Sequence, residues 1–386
     1  MMKGNFPVGR FASCRTPFYY YDIDLLRRTL GELADAASLV PCSKVHYAVK
    51  ANANPRILAE IASAGLGADC VSGAEVAAAV DAGFRPSDIV YAGVGKSDEE
   101  ILLALRAGIS RFNVESAAEL EVINSLAAEL GVVAPVSLRV NPDIGAHTHA
   151  NITTGLAENK FGINYPQLPS VLALARSLPN VEYKGLHFHI GSQILDMADF
   201  VALCNRINEL SASLSRSGQD LGDINVGGGL GVNYQHPNHF PVADFKSYFE
   251  TFRKHLKLPR GTQVHFELGR SIVAPCGTLV SRVLYVKEGT NKKFAIIDAS
   301  MTELIRPALY KAYHRVENLT SDAPEEQYDV VGPVCESSDV FLKGAMIDRC
   351  SRGDLIAIRS AGAYGEAMAS RYNLRPLPPS VFSDAL

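Results

Sequence analysis

The feature that most constrains the fold is a regular alternation of short apolar segments with stretches rich in Ala and Leu. The apolar segments predict strands at residues 44–50, 66–70, 88–92, 111–114, 136–140, 185–190, 223–226 and 263–268. The stretches between several of them, at residues 54–64, 73–82 and 117–130, repeat apolar residues at helical spacing. Strands that alternate with helices indicate parallel βαβ units, and eight units over about 240 residues are typical of a (β/α)8 barrel.

The pattern changes after residue 270. Strands are predicted at residues 278–287, 292–299, 328–334 and 354–359, without long helices between them. Residues 16–22 are rich in aromatic residues and also resemble a strand. We therefore expect an α/β protein with three parts. These are an N-terminal strand within residues 1–22 that joins the β domain, a TIM-type (β/α)8 barrel at 23–270, and a C-terminal β-barrel or sandwich domain at 271–386.

Composition excludes several classes of protein. The 386 residues contain 37 Lys and Arg against 41 Asp and Glu, and no basic run occurs. This balance argues against nucleic acid or an anionic membrane as a partner. The seven cysteines are scattered and form no CxxC pair, and no segment approaches the roughly 18 apolar residues of a membrane span. Since the N-terminus also lacks an apolar leader, we expect a cytoplasmic enzyme.

Polar residues lie at the carboxyl ends of the predicted barrel strands or directly after them. They are Lys50, Asp69, Arg139, His189, the triplet Gly227 to Gly229, Glu267 and Arg270. In (β/α)8 barrels the chemistry lies at the carboxyl ends of the strands. We therefore expect these side chains to meet at one mouth of the barrel.

Each candidate has a functional and a structural interpretation. Lys50 can be a Schiff-base amine or a solvated lysine at a strand end. The glycine triplet, with Arg270, can bind a phosphate group or form a plain turn. Glu267 can act as a base, bind a metal, face a protonated ring nitrogen, or pair with an arginine. Cys335 can be a nucleophile, an acid or a buried structural thiol.

His187 and His189 lie two residues apart, so we expect them on one face of a strand. They can bind a metal with Asp69 and Glu267, stack on a flat cofactor, or fill the core. The neighbouring Gly191 and Ser192 favour an anion over a metal.

Taken together, the barrel residues match one cofactor. A lysine amine, a carboxylate, a flat histidine and a phosphate cradle at one mouth are what pyridoxal phosphate requires.

Eleven segments then carry a family resemblance in order along nearly the whole chain. They are TPFYYYD, YAVKAN, GADCVSGAE, LRVNPD, HTHANITTG with KFGI, HFHIGSQ, GGGLGV, ELGR, RPALYKAYH, GPVCESSD and GAYGEAMASRYN. With these segments the chain resembles the fold-type III pyridoxal-phosphate-dependent decarboxylases. Within that family it is similar to the branch that converts meso-diaminopimelate to L-lysine and CO2. The family usually has proline at the position of Leu268, which puts the rigidity of that turn in doubt.

The resemblance implies a role for each matching residue. Lys50 matches the Schiff-base lysine, His189 the histidine stacked on the ring, and Glu267 the carboxylate that faces the pyridine nitrogen. The remaining cofactor positions are Asp69, Glu75, Arg139, Ser192, Gly228, Gly229, Gly269, Arg270 and Tyr364. The substrate positions are Arg270, Arg306, Tyr310, Glu336 and Tyr364. Cys335 matches the proton donor. In the family Cys335 and Glu336 act across a dimer interface, so a homodimer is implied.

Alternatives remain open at this point. The nearest alternative is a decarboxylase for ornithine, lysine or carboxynorspermidine, because only recognition of the carboxylate at the far end of the substrate distinguishes the two activities. A metal-dependent barrel hydrolase would use His187, His189 and Asp69. A homologue that binds pyridoxal phosphate or a protein partner without catalysis would not need Lys50 and Cys335.

Overall fold

The computed structural model describes residues 3–142 and 160–386. The chain forms two compact units. We call Leu30–Gly231 with Asp244–Gly269 the barrel unit. We call Met1–Thr29, Val232–Ala243 and Arg270–Leu386 the β unit. The segment Val232–Ala243 thus lies inside the sequence range predicted for the barrel but packs with the β unit, and the domain limits drawn from the sequence stay predictions.

Eight parallel strands close into a barrel, because β5 pairs with both β4 and β6. With strands numbered along the whole chain, they are β2 (Ser43–Ala48), β3 (Gly67–Cys70), β4 (Ile89–Tyr91), β5 (Arg111–Val114), β6 (Ala134–Asn141), β8 (Val181–His187), β9 (Asp223–Asn225) and β10 (Val264–Leu268). A short strand, β7 (Ile163–Asn164), adds to β6. The predicted (β/α)8 barrel is confirmed.

Helices alternate with these strands. They are α2 (Ile23–Ala37), α3 (Pro55–Ser63), α4 (Gly73–Asp81), α5 (Asp98–Ala107), α6 (Ala117–Leu130), α7 (Leu168–Ser177), α8 (Met197–Arg216) and α9 (Phe245–His255). Side chains cap several amino ends: Ser72, Ser97 and Ser116 each accept a hydrogen bond from the backbone N–H three residues on. Ser97 also forms a capping box with Glu100. These caps define the residues at which α4, α5 and α6 begin.

The β unit has a second, mostly antiparallel sheet. Its strands are β1 (Phe18–Tyr21), β11 (Gly277–Glu288), β12 (Lys293–Ile297), β13 (Val316–Asn318), β14 (Glu325–Val331), β15 (Val340–Asp348), β16 (Leu355–Ile358) and β17 (Ser380–Phe382). Strand β1 lies between β11 and β17. Three short helices are α1 (Val8–Phe11), α10 (Arg270–Val273) and α11 (Arg306–Tyr310). The expected β domain is present, and β13, β15 and β17 were not predicted.

Among the helices that the structure describes, none is both long and apolar enough to cross a lipid bilayer.

Candidate active site

Lys50 lies just beyond β2. The strand ends at Ala48, and Lys50 is in a short 3-10 turn, Val49–Ala51, so the prediction that Lys50 ends the strand is wrong. The turn forms because the N–H of Asn52 donates to the carbonyl of Val49 (3.1 Å), while the hydroxyl of Tyr47 donates to the carbonyl of Asn52 (2.9 Å). The turn leaves the Lys50 side chain 41% exposed, with Nζ 3.5 Å from Oδ2 of Asp69. The amine is therefore accessible for covalent chemistry.

Asp69 is a buried carboxyl group at the end of β3. Its side chain is 2% exposed, and Oδ1 has no hydrogen-bond partner among the described residues. Burial, followed by the charge of Glu267, raises the pKa of Asp69 to about 8. Lys50 acts in the opposite direction on this pKa, through its charge and a hydrogen bond. Glu75, in the first turn of α4, accepts a hydrogen bond from the N–H of Val71 (2.7 Å).

Glu267, on β10, is the most extensively bonded carboxylate of the mouth. Its Oε1 accepts from the amides of Asn113 (3.0 Å) and Asn225 (2.7 Å), and its Oε2 lies 3.1 Å from Nε2 of His187. Burial alone would raise the pKa of Glu267, but its interaction with His187, and then the charge of Lys50, lower it. Glu267 is thus held as an anion.

The two ring nitrogens of His187 have different surroundings. Nε2 lies 3.1 Å from Oε2 of Glu267, whereas Nδ1 is buried and has no partner among the described residues.

The glycine triplet follows β9 and leaves no room for side chains. A Cβ on Gly228 would lie 1.8 Å from the carbonyl oxygen of Glu267, and one on Gly229 would lie 2.9 Å from that of Gly191. Gly227 and Gly229 have φ of +72° and +111°, in the region that favours glycine. The N–H of Gly227 donates to Oδ1 of Asn225 (2.9 Å). Glycine therefore keeps the backbone of this turn bare, as a phosphate cradle requires.

His189 lies beyond β8, which ends at His187, so the prediction that both histidines share one strand is wrong. After Phe188 the chain no longer pairs with β9 and lies instead beside the glycine turn. There the N–H of Ile194 donates to the carbonyl of Gly229 (2.9 Å). Nδ1 of His189 accepts from the N–H of Gly228 (3.3 Å). Burial, and then the charges of Arg139 and Lys50, lower its pKa well below the usual value. His189 is therefore a neutral, flat group beside the turn.

Ser192 lies partly buried in the same segment, between Gly191 and Ile194. Gly269 follows β10, and a Cβ there would meet the side chains of Ala48 and Ala51 at 3.0 and 3.1 Å. Leu268, in place of the family's proline, is fully buried and pairs with Tyr47 of β2. Leucine thus continues the strand to the point where Arg270 begins α10.

Arg139 is held by a partner that sequence reasoning missed. Its Nη1 lies 2.7 Å from Oε1 of Glu115, and its guanidinium lies 4.7 Å from the ring centre of Phe161. Oε2 of Glu115 accepts from the N–H of Gly162 (2.8 Å). Its place in a network with Asp69 and Glu75 stays a prediction. The HTHANITTG part of the fifth segment, residues 147–155, lies outside the described residues.

The β unit has a separate cluster of buried cations. Arg270 and Arg306 are 7% and 5% exposed. Nη1 of Arg270 donates to the hydroxyl of Tyr234 (2.9 Å), and its guanidinium lies 4.8 Å from the ring centre of Tyr364. Nη1 of Arg306 donates to Nε2 of His314 (2.7 Å). Two guanidinium groups with aromatic neighbours are suited to an anion such as a carboxylate.

The remaining predicted residues are more accessible. Tyr310 ends α11 and is partly buried, and Tyr364 has φ of +56°. Cys335 and Glu336 are both exposed. The Glu336 carboxylate accepts hydrogen bonds from the hydroxyls of Tyr372 (2.7 Å) and Ser338 (3.2 Å).

The structure therefore groups the predicted residues into two sets. The barrel unit holds Lys50, Asp69, Glu75, Arg139, His189, Ser192, Gly228, Gly229, Glu267 and Gly269, and the β unit holds Arg270, Arg306, Tyr310, Cys335, Glu336 and Tyr364. Sequence reasoning missed Asn113, Asn225, Glu115, Tyr234 and His314. The position of Asn113 and Asn225 on strands β5 and β9 was a usable signal. No group of three or more potential metal-binding side chains is found in the described ranges.

The barrel mouth fits pyridoxal phosphate. The anionic Glu267 suits a positively charged ring, and the bare glycine turn suits a phosphate. Lys50 adds the accessible amine.

Comparisons with known proteins agree with this geometry. A family model described as pyridoxal-dependent decarboxylase, pyridoxal binding domain, matches residues 27–274. Diaminopimelate decarboxylase from Bacteroides thetaiotaomicron is 60% identical over 385 residues, covering 100% of both chains. The enzyme of that name from Zymomonas mobilis is 43% identical over 368 residues, 95% of this chain and 87% of the relative.

Solved structures extend the likeness. Diaminopimelate decarboxylase from Helicobacter pylori, complexed with L-lysine, superimposes with a TM-score of 0.90 at 40% identity, covering 97% of this chain and 93% of the other. A lysine/ornithine decarboxylase from Vibrio vulnificus, complexed with putrescine, has a TM-score of 0.84 at 21% identity, covering 98% and 97%. At that identity the second likeness concerns the fold alone.

Proposed function

Because this chain belongs to the pyridoxal-dependent decarboxylases, we propose that it removes one carboxyl group of meso-2,6-diaminopimelate, releasing CO2 and L-lysine, in the last step of lysine biosynthesis. The observation that carries the substrate is the pair of buried arginines, Arg270 and Arg306, whose described contacts include the hydroxyl of Tyr234 and the imidazole of His314. The names of the relatives and the L-lysine complexes of the structural neighbours support the same reaction.

The far end of the substrate explains why the arginines matter. Diaminopimelate has a carboxylate there, whereas ornithine and lysine do not. A guanidinium that is buried to receive a carboxylate is left unpaired by a substrate without one, which costs binding free energy. We assign this carboxylate to Arg306 and Arg270, with Tyr310 and Tyr364 beside them, and the far ammonium to Glu336.

We propose that pyridoxal phosphate is held by the barrel mouth. The assigned residues are Lys50, Asp69, Glu75, Arg139, His189, Ser192, Gly228, Gly229, Glu267 and Gly269, with Arg270 and Tyr364. When bound, pyridoxal phosphate supplies an electron sink for the electron pair that CO2 leaves behind. Binding, orientation and proton transfer are the roles of residues of this chain.

Glu267 keeps its negative charge so that a protonated ring nitrogen is stabilised opposite it. The two asparagines and His187 fix the orientation of its carboxylate. Lys50 would provide the amine for covalent attachment, and Asp69, whose Oδ2 lies 3.5 Å from Nζ, would orient that amine. We assign the phosphate to the glycine turn, which brings bare backbone rather than side chains to it.

We propose a homodimer in which Cys335 and Glu336 serve the site of the second copy. Both residues are exposed in the single chain, which supports this arrangement. Sγ of Cys335 would deliver the proton that replaces CO2 on the substrate carbon. All seven cysteines are free, in keeping with the reducing, cytoplasmic location that we propose.

A visible absorption spectrum with and without meso-diaminopimelate, together with CO2 release, tests the cofactor and the substrate. We expect the purified protein to show a visible absorption band, because pyridoxal phosphate joined to a lysine is coloured, and the band to change when meso-diaminopimelate is added. CO2 should be released faster from meso-diaminopimelate than from L-ornithine. Faster release from L-ornithine contradicts the substrate, and a spectrum without a visible band contradicts the cofactor.

A further inference from the structure

His314 lies between Arg306 and the backbone of Arg359 and is fully buried. Its Nε2 is 2.7 Å from Nη1 of Arg306, and its Nδ1 is 2.8 Å from the carbonyl oxygen of Arg359. The ring packs edge-on against Tyr234, with 5.0 Å between ring centres. His314 is thus fixed at both nitrogens and on one face.

These two contacts determine the protonation of the ring. A guanidinium can only donate, so Nε2 of His314 must carry a lone pair. A backbone carbonyl can only accept, so Nδ1 must carry the proton. Burial, and then the charge of Arg306, lower the pKa of His314 to about 3, which agrees with a neutral ring at every working pH.

Two partly buried arginines of the β unit have carboxylate partners. Arg359 pairs with Glu317 at 2.9 Å, and Arg375 with Glu303 at 3.4 Å, so each of these charges is compensated inside the protein. Arg306 forms no ion pair with a carboxylate among the described residues. It is held by His314 and also contacts Tyr234, whose ring centre lies 4.9 Å from its guanidinium.

The consequence concerns charge. Since arginine stays protonated in proteins, Arg306 is a buried cation. A carboxylate in place of His314 would be a stronger hydrogen-bond acceptor, but it would also cancel the charge. An imidazole orients the guanidinium and leaves its charge for an incoming anion.

We propose that His314 is a positioning residue that orients Arg306 and, because it is neutral, reserves the charge of Arg306 for the far carboxylate of the substrate. The inference rests on the proposed function. It makes His314 a determinant of specificity for a diamino dicarboxylic acid over diamines that carry a single carboxylate.

An isosteric pair of variants separates charge from hydrogen bonding. In His314→Gln and His314→Glu, the side-chain oxygen can accept from Arg306 in both, and only the second adds a negative charge. With the holoenzyme we expect His314→Gln to keep KM for meso-diaminopimelate within about 3-fold of the wild type. His314→Glu should raise that KM by about 10- to 100-fold, with kcat changed less.

Cadaverine, the diamine that has neither carboxylate of the substrate, is the internal control. Its inhibition constant should stay within about 3-fold in both variants, whereas a general loss of structure would weaken cadaverine and substrate alike. If His314→Glu and His314→Gln show the same KM, the charge-reserving role is overturned while the proposed function stands. If the wild type releases no CO2 from meso-diaminopimelate, the proposed function fails and the inference fails with it.

A second measurement covers the case in which the variants do not fold. Neutron diffraction from the wild-type holoenzyme locates the ring hydrogens directly. We expect a deuterium on Nδ1 of His314 and none on Nε2. A deuterium on Nε2 would overturn the inference without any substitution.

Discussion

The barrel unit and the β unit each bury a charge beside largely neutral partners, and the two charges have opposite sign. In the barrel unit the anion Glu267 accepts hydrogen bonds from Asn113 and Asn225 and contacts His187. In the β unit the cation Arg306 donates to the neutral His314. One arrangement suits a positively charged ring, and the other suits a carboxylate. The difference shows how one chain presents two charges of opposite sign to the groups that it binds.

Other buried charges in the barrel unit compensate one another. Lys96 lies 2.6 Å from Glu119, with side chains 1% and 12% exposed. In such a pair the two opposite charges neutralise each other, so little net charge remains to attract a ligand. The comparison therefore separates charges that bind ligands from charges that hold the fold.

The largest expected effect concerns the two lysines of one strand segment. Lys50, after the end of β2, lies 3.5 Å from Asp69, whose pKa is raised to about 8, whereas Lys44, near the start of the strand, pairs with Asp88. We expect Lys50→Ala to lower kcat by about 1000-fold or more, because the amine is lost. Lys44→Ala should change kcat by less than about 3-fold. Steady-state CO2 release measures kcat for both variants. An equal loss of kcat in the two variants would contradict the distinction between Lys50 and Lys44.

A smaller effect is expected for two buried glutamates. Glu267→Gln keeps the shape but removes the charge opposite the ring, so kcat should fall by about 100-fold. Glu119→Gln should leave kcat within about 3-fold but lower the free energy of unfolding by about 3 kcal/mol, because Lys96 loses its charged partner. Kinetics and urea unfolding of both variants measure this. A Glu119→Gln variant with lower activity and unchanged stability would contradict the assignment.

The smallest effect concerns the pH dependence of stability. The pKa of Asp69 is raised to about 8 in the folded chain, so folding takes up a proton that the unfolded chain releases above its ordinary pKa near 4. The free energy of unfolding should therefore fall as pH rises from about 4 to 8. Asp69→Asn removes this loss, and the cofactor-free variant should be more stable than the wild type at pH 8.5 by about 2 kcal/mol. Parallel stability curves for the two proteins would show that Asp69 is ionised.

Much of the fold was predictable because the barrel strands are short, apolar and separated by capped helices. All eight predicted barrel strands overlap observed ones. The strands β13, β15 and β17 were missed, since β13 and β17 have only three residues each and β15 carries Lys, Asp and Gly among its apolar residues. Lys50 and His189 each lie two residues beyond the strand that was predicted to contain them. A 3-10 turn begins at Val49, directly after β2, and β8 stops pairing with β9 at His187.

The candidate site was predictable where a residue type carries its own chemistry, as Lys50 and Glu267 do. The residues that hold them were not. Asn113 lies 154 residues from Glu267 along the chain, and His314 acts on Arg306 only through the turn after α11. An amide or an imidazole without a known neighbour has no distinctive pattern in a sequence. Only the fold reveals which charge it orients.

The specificity of the wild type and of Arg306→Met for meso-diaminopimelate over L-ornithine tests the central claim most directly. The measurement is kcat/KM for CO2 release from each substrate. We expect the wild type to prefer meso-diaminopimelate by about 1000-fold or more. In Arg306→Met, kcat/KM for meso-diaminopimelate should fall by about 100-fold, and that for L-ornithine should not fall. An Arg306→Met enzyme with undiminished activity on meso-diaminopimelate would contradict the claim that this buried charge is kept for the far carboxylate of the substrate.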